Sequence, residues 1–150
     1  MLRIEEHTLS NGLRLITIPM LETNSVSVAV TARVGSRNED FKTQGGVSHF
    51  LEHLFFKGSK KRPTPRQIMS EIDSLGGVAN ASTSFEYTNF YVKVPMEFMD
   101  KALDVLGDML VNPLLNGAEI DRERNVVLEE MNVIKDDPSR YVYDLVPPLL

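Results

Sequence analysis

Apolar positions recur along the chain with two different periods, and each change of period marks an element. From Ser25 to Val34 the period is two, with Val26, Val28, Val30 and Ala32 on one face and Ser25, Ser27, Ala29 and Thr31 on the other. That predicts a strand with one strongly apolar face. A hairpin precedes it, because Asn11-Gly12 separates residues 3–10 from 13–19 and Asn-Gly is the preferred pair of a type I′ turn. Leu13, Leu15 and Thr17 alternate with Arg14, Ile16 and Ile18, so its second strand is expected to be covered on both sides. Two further strands read over 78–85 and 87–95, the second with Thr88, Phe90, Val92 and Val94 opposite Tyr87, Asn89, Tyr91 and Lys93.

Elsewhere the period lengthens to that of a helix. Gly35–Asp40 breaks the strand pattern, and Gly45-Gly46 permits a tight entry into a helix that carries His49 and His53. Thr64-Pro65-Arg66-Gln67 opens a second helix with a Thr cap, Pro at the first helical position and Gln at the third. Its stripe is Ile68, Met69, Ile72 and Leu75, and Gly76-Gly77 ends it. A third helical pattern through Met96, Met99, Leu103, Leu106 and Leu110 closes at Asn112-Pro113, its methionines reading as core. Asn116, with Glu119 as capping-box partner, starts a long helix running to about Lys135. The segment from Ser139 to Leu150 looks helical but lacks a clean cap or stop signal. The order β, β, α, α, β, β, α, α predicts an α+β domain of two layers, a mostly antiparallel sheet packed against helices.

Composition narrows the chemistry. The chain has 150 residues, 42% hydrophobic and 25% charged, with a formal charge of -5, enough for one domain with a real core and without a basic footprint for nucleic acid or an anionic membrane. Lys57, Lys60, Lys61, Arg62 and Arg66 form a local basic patch, which reads as a solvated face rather than a phosphate site. No run of 18 apolar residues occurs, and the first residues do not read as a leader. A soluble, cytoplasmic protein is expected. Cysteine is absent, so any metal must be held by nitrogen and oxygen.

On a helix, His49 and His53 are four apart and share a face, with Glu52 beside them. Two imidazoles can then reach one metal ion, next to a carboxylate able to take a proton from water. The order His-x-x-Glu-His is the inverzincin signature. A structural alternative is that both histidines merely flank a core stripe of Phe50, Leu51 and Leu54, with Glu52 exposed. Against it stands the long helix, whose stripe of Ile120, Glu123, Val127, Glu130 and Ile134 places two acids on its apolar face. Carboxylates there are costly unless something positive compensates them, and they can supply the missing oxygen ligand.

These residues lie in Gly45-Gly-Val-Ser-His-Phe-Leu-Glu-His-Leu-Phe-Phe-Lys-Gly58. Gly76-Gly-Val-Ala-Asn-Ala-Ser-Thr-Ser84 with Tyr87-Thr88, Glu123-Arg-Asn-Val-Val-Leu-Glu-Glu130 and Asp136-Asp-Pro138 follow. In that order and spacing the chain resembles the pitrilysin and insulysin family of inverted-motif zinc peptidases. It is most similar to the branch of mitochondrial processing peptidase beta subunits and bacterial processing-protease-like proteins. The resemblance implies a zinc metalloendopeptidase holding one Zn2+ per chain on His49, His53 and Glu130. It implies Glu52 as general base and Glu123 as a carboxylate that orients a ligand or tunes the site, while Glu129 is expected at the surface. Asn80 and Ala81 fall on the implied edge strand that takes the substrate, a peptide or unfolded polypeptide, by strand addition. The family also implies a second, related domain missing from this chain, which then reads as a catalytic domain at 1–150 incomplete at its C-terminal end. A homodimer or a paired homologous subunit is implied for the full-length protein.

Three rival readings compete with a peptidase. A quorum-signal lyase on an inverted His pair would look for a cysteine ligand, which this chain lacks. A non-catalytic scaffold or substrate-binding subunit would be expected to have lost part of the set His49, Glu52, His53 and Glu130. A purely structural metal site would need a closed fourth position.

Overall fold

In the computed structural model, which describes residues 3–40 and 42–145, the chain begins with β1 (Glu5–Thr8), β2 (Arg14–Thr17) and β3 (Ser25–Ala32). Helices α1 (Val47–Phe55) and α2 (Pro65–Ser74) follow, then β4 (Val78–Thr83) and β5 (Thr88–Pro95). Helices α3 (Met99–Val111), α4 (Gly117–Lys135) and α5 (Pro138–Leu145) complete it. The fold is the expected α+β architecture: an antiparallel sheet in the order β3-β5-β4 under a layer of helices, with β1 and β2 as a separate antiparallel hairpin.

Alternation along β5 decides which face is core. Thr88, Phe90, Val92 and Val94 are buried, while Asn89, Tyr91 and Lys93 face the other way. Against them pack Ile68 and Ile72 of α2 and Ala102, Val105, Leu106 and Met109 of α3. Phe55 of α1 meets Phe90 edge to face at 5.3 Å, one of the geometries aromatic rings prefer. Ala79 and Ala81 of β4 pack on the same core, so α1 lies over the sheet where β4 forms its edge.

Helix signals in the sequence correspond to observed caps. Thr64 Oγ1 accepts from Gln67 N while the Gln67 side chain accepts from Thr64 N, a complete capping box with Pro65 in the first turn. Asn116 caps α4 by accepting from Ala118 N, but Glu119 is drawn to Arg122 at 2.5 Å and no box forms.

Several expectations are corrected. Strand β2 is open on both sides, Leu15 and Ile16 being exposed; the hairpin pairs only with itself, so nothing covers it among the described residues. On β3, Val26 and Val28 pack on the core while Val30 is exposed. The buried face of α3 is Ala102, Val105, Leu106 and Met109, with Leu110 packed against the core as expected and Met99 and Leu103 exposed; apolar residues lie on both sides of the expected stripe, and the sheet takes the side carrying Ala102, Val105 and Met109. The final segment is helical from Pro138 to Leu145, and 146–150 lie outside the described residues.

In the basic patch Lys60, Lys61 and Arg66 are exposed, as expected of a solvated face, and Lys57 is half-buried, but Arg62 is buried. Arg62 is 6% exposed and binds Glu71 through Nε at 2.6 Å and Nη2 at 2.7 Å, with Asp104 at 2.8 Å from Nη2. Asp108 completes the cluster, accepting from Ser59 Oγ at 2.5 Å and Lys61 N at 3.0 Å. Arg62 Nη1 lies 3.4 Å from the same carboxylate. This network ties the loop after α1 to α2 and α3.

Candidate metal centre

Gly46, in the left-handed region at φ 88°, turns the chain into α1, a conformation glycine adopts without strain. The first-turn amides of that helix are satisfied from a distance: Glu39 accepts from Gly46 N at 2.6 Å and from Ser48 N at 2.7 Å. Burial pushes the Glu39 carboxyl up, but the Ser48 and Gly46 hydrogen bonds outweigh it and hold the acid below its ordinary value. An acid at a helix N-terminus also complements the dipole. The start of the histidine helix is thereby fixed.

On that helix, Leu54 and Phe55 turn toward the core and His49, Glu52 and His53 lie on the side facing α4 and β4. His49 Nε2 and His53 Nε2 lie 3.1 Å apart. From α4, Glu130 Oε2 lies 3.7 Å from the first and 3.6 Å from the second. These residues form a group of donors able to hold one metal ion. Three ligands placed tetrahedrally at bonds of about 2.0–2.2 Å sit about 3.3–3.6 Å from one another, so the triangle fits a zinc-sized ion with little adjustment. The donor set of two imidazoles and one carboxylate is that of a catalytic zinc site.

Behind the triangle, two turns earlier on α4, Glu123 is 3% exposed. Its Oε1 accepts from His53 Nδ1 at 2.8 Å and its Oε2 from Lys57 Nζ at 2.6 Å. Burial pushes Glu123 up, yet the bonds from Lys57 and His53 outweigh it and keep the carboxylate below its ordinary value. A carboxylate can only accept, so Nδ1 carries a proton, and a ring protonated at Nδ1 alone presents the Nε2 lone pair to the triangle.

Glu52 does not join the triangle; its Oε2 accepts from Thr83 Oγ1 on β4 at 2.5 Å. It shares a cleft with His53, Lys57, Asn80 and Glu123. Strand β4 is an edge, as the sequence reading has it. Ser84 N donates to Tyr87 O, so in this antiparallel register Ala79, Ala81 and Thr83 turn their main-chain groups away from β5. The Ala81 amide on that free edge donates to Asn80 Oδ1 at 2.8 Å. Glu129 is exposed near Asn132, away from the triangle.

The seven residues singled out by sequence therefore converge on one wall of the domain. Sequence reasoning missed three supporting residues: Glu39, Lys57 and Thr83. Lys57 stands four positions after His53, just beyond the end of α1, a spacing visible in the sequence. Nothing local marks Glu39 or Thr83, whose roles depend on packing across the chain.

Residues 15–148 match the insulinase family of peptidases, peptidase family M16. An uncharacterized zinc protease of Bacillus subtilis is 41% identical over 95% of this chain and 34% of its own length. The mitochondrial-processing peptidase subunit beta of Dictyostelium discoideum is 41% identical over 91% of this chain and 29% of its own length. The crystal structure of a protease from Helicobacter pylori matches with a TM-score of 0.88 and 35% identity, over 95% of this chain and 34% of that one. The chain spans about a third of the length of these relatives.

Proposed function

The chain belongs to the insulinase family of peptidases, and from that premise we propose that it carries the metal site of a zinc-dependent endopeptidase acting on peptides or unfolded polypeptide segments. The observation that carries the reading is the convergence of His49, His53 and Glu130 donor atoms within 3.7 Å of one another, with Glu52 held beside them. The zinc-protease names of the bacterial relatives support the choice of ion.

When bound, one zinc ion supplies Lewis-acid polarisation of a carbonyl and acidifies water. His49, His53 and Glu130 are the residues that hold it. Glu52 takes a proton from the attacking water and returns it to the departing amine. Glu123 fixes the tautomer and direction of His53, and Lys57 balances the charge of Glu123. The free edge of β4 pairs with the main chain of an extended peptide through Ala81, with the Asn80 side chain beside it, which gives affinity with little dependence on substrate side chains.

A scaffold role without catalysis is disfavoured because His49, Glu52, His53 and Glu130 are all present. The chain spans about a third of its relatives, so the opposite wall of a substrate chamber is assigned in this proposal to polypeptide beyond it. Relatives named as a processing-peptidase beta subunit support a pairing with a second subunit for the whole protein, and a homodimer is the alternative form of that pairing in this proposal. The test is Glu52→Gln in the full-length protein. Zinc content is expected to stay at about one per chain while peptide cleavage falls by about 10²–10⁴-fold; undiminished cleavage in that variant contradicts the assignment.

A further inference from the structure

The contact between Glu52 and Thr83 has no part in holding a metal, yet it joins the acid to the strand at the sheet edge. Thr83 Oγ1 donates to Glu52 Oε2 at 2.5 Å, and both residues are half-buried. The hydroxyl comes from β4 and the carboxylate from α1, elements 31 residues apart at the contact. Side chains at 79, 81 and 83 share the face of β4 turned to the helices, while Val78, Asn80 and Ser82 are exposed. The main-chain groups of the same three residues point out of the free edge. Thr83 thus presents its backbone to whatever pairs with β4 and its hydroxyl to Glu52.

We infer that Thr83 is a positioning residue that fixes the Glu52 carboxylate in register with a peptide bound along β4. The inference rests on the peptidase reading and deepens it. A half-buried glutamate side chain has three rotatable bonds, and one short charge-assisted hydrogen bond is enough to select among its rotamers. With Oε2 held on β4, that oxygen is turned to the strand and Oε1 is left to exchange a proton. The carboxylate is also kept from swinging into the triangle of His49, His53 and Glu130. Because the anchor lies on the strand that receives the substrate, the distance from the acid to the peptide main chain is set by the sheet itself. A misplacement of about 1 Å in such a constellation costs on the order of 100-fold in rate.

The experiment compares Thr83→Val, Thr83→Ser and Glu52→Gln in the full-length protein. Valine keeps the branched shape suited to a strand and removes only the donor; serine keeps the donor and removes a methyl group. Thr83→Val is expected to lower kcat by about 10–100-fold with KM within about twofold. Its zinc affinity by chelator competition, and its Kd for a peptide with a reduced, uncleavable scissile bond, are expected to match the parent. Thr83→Ser is expected to restore kcat to within about threefold of the parent. If valine destabilises the fold, Thr83→Ala takes its place with the same expectations.

Turnover of the valine variant within about twofold of the parent overturns the inference. So does an equal loss in the serine variant, or a loss explained by weakened zinc or peptide binding. Glu52→Gln separates the two levels: undiminished cleavage there removes the peptidase reading itself, whereas an inactive Glu52→Gln beside a fully active Thr83→Val removes only the role of Thr83.

Discussion

Two clusters of charged side chains lie on either side of α1, and they are built in opposite senses. After the helix, Arg62 is matched by Glu71, Asp104 and Asp108, with Ser59 and the Lys61 amide filling the remaining valences of Asp108. Beside it, His49, His53 and Glu130 turn their donor atoms toward one shared point. The first cluster is closed: each charge finds its opposite within the protein. The second turns lone pairs and one negative charge toward one position, where a bound cation would supply the balancing charge. A residue list would make both simply polar. What separates them is whether opposite charge is already present.

The comparison breaks first at the triangle. Replacing His53 with Ala removes one of three donors and is expected to take zinc from about one per chain to near zero. Because His53 also donates to buried Glu123, which keeps Lys57 as its remaining partner, the metal-free variant should unfold about 1–3 kcal/mol more easily than the metal-free parent, a loss too small to unfold the site. Zinc retained at full stoichiometry would show that the triangle is not where the ion binds.

The closed cluster is expected to fail the other way. Arg62→Ala leaves Asp108, 4% exposed, without its guanidinium, and losing one partner of a buried ion pair costs about 3–5 kcal/mol. Glu71 and Asp104 are open to water, which places the effect at the lower end of that range. Urea unfolding should register the loss, while the folded fraction still binds zinc. Normal stability in this variant would erase the distinction between the clusters.

Glu123 sits between the two kinds of site, buried and paired yet in contact with the triangle. Glu123→Gln keeps the shape and weakens its hold on His53 Nδ1 and Lys57. Zinc affinity by chelator competition is expected to fall about 10–100-fold, a graded loss set against the all-or-none loss at His53.

A smaller effect comes from acid. Hydrogen bonds from Lys61 and then Arg62 lower Asp104 from 3.8 to about 2. The Arg62 hydrogen bond lowers Glu71, although its burial opposes this. A carboxylate lowered in the folded state adds stability that is present above its unfolded value and is lost as pH falls through the folded one. Stability should therefore decline as pH falls from about 4 to about 2, and the decline should be shallower in Arg62→Ala. Equal slopes in parent and variant would show that the cluster does not carry the acid response.

Much of this molecule is legible in its sequence because periodicity records local geometry. The spacing of His49, Glu52 and His53 needs only a helix to become a site. Glu123 and Glu130 stand out because acids interrupt an apolar stripe, which water alone does not explain. Thr64, Pro65 and Gln67 announce α2 through a cap whose bonds span three residues. The misses are those decided by distant chain. Lys57, Lys61 and Arg62 read as a solvated run because their acids arrive from α2, α3 and α4. Thr83 is one hydroxyl among several on a polar strand, and only the placement of α1 over β4 brings Glu52 to it. Met99 and Leu103 read as core because α3 is apolar around most of its circumference, and only the sheet packed against it selects Ala102, Val105, Leu106 and Met109.

The most direct measurement is a zinc titration of the full-length protein, with the bound ion read by X-ray absorption in the parent and in Glu130→Ala. One equivalent bound by two imidazole nitrogens and carboxylate oxygen at about 2.0–2.2 Å, with the carboxylate contribution and high affinity lost in Glu130→Ala, is the predicted result. A shell without imidazole, or one unchanged when Glu130 is removed, would contradict it.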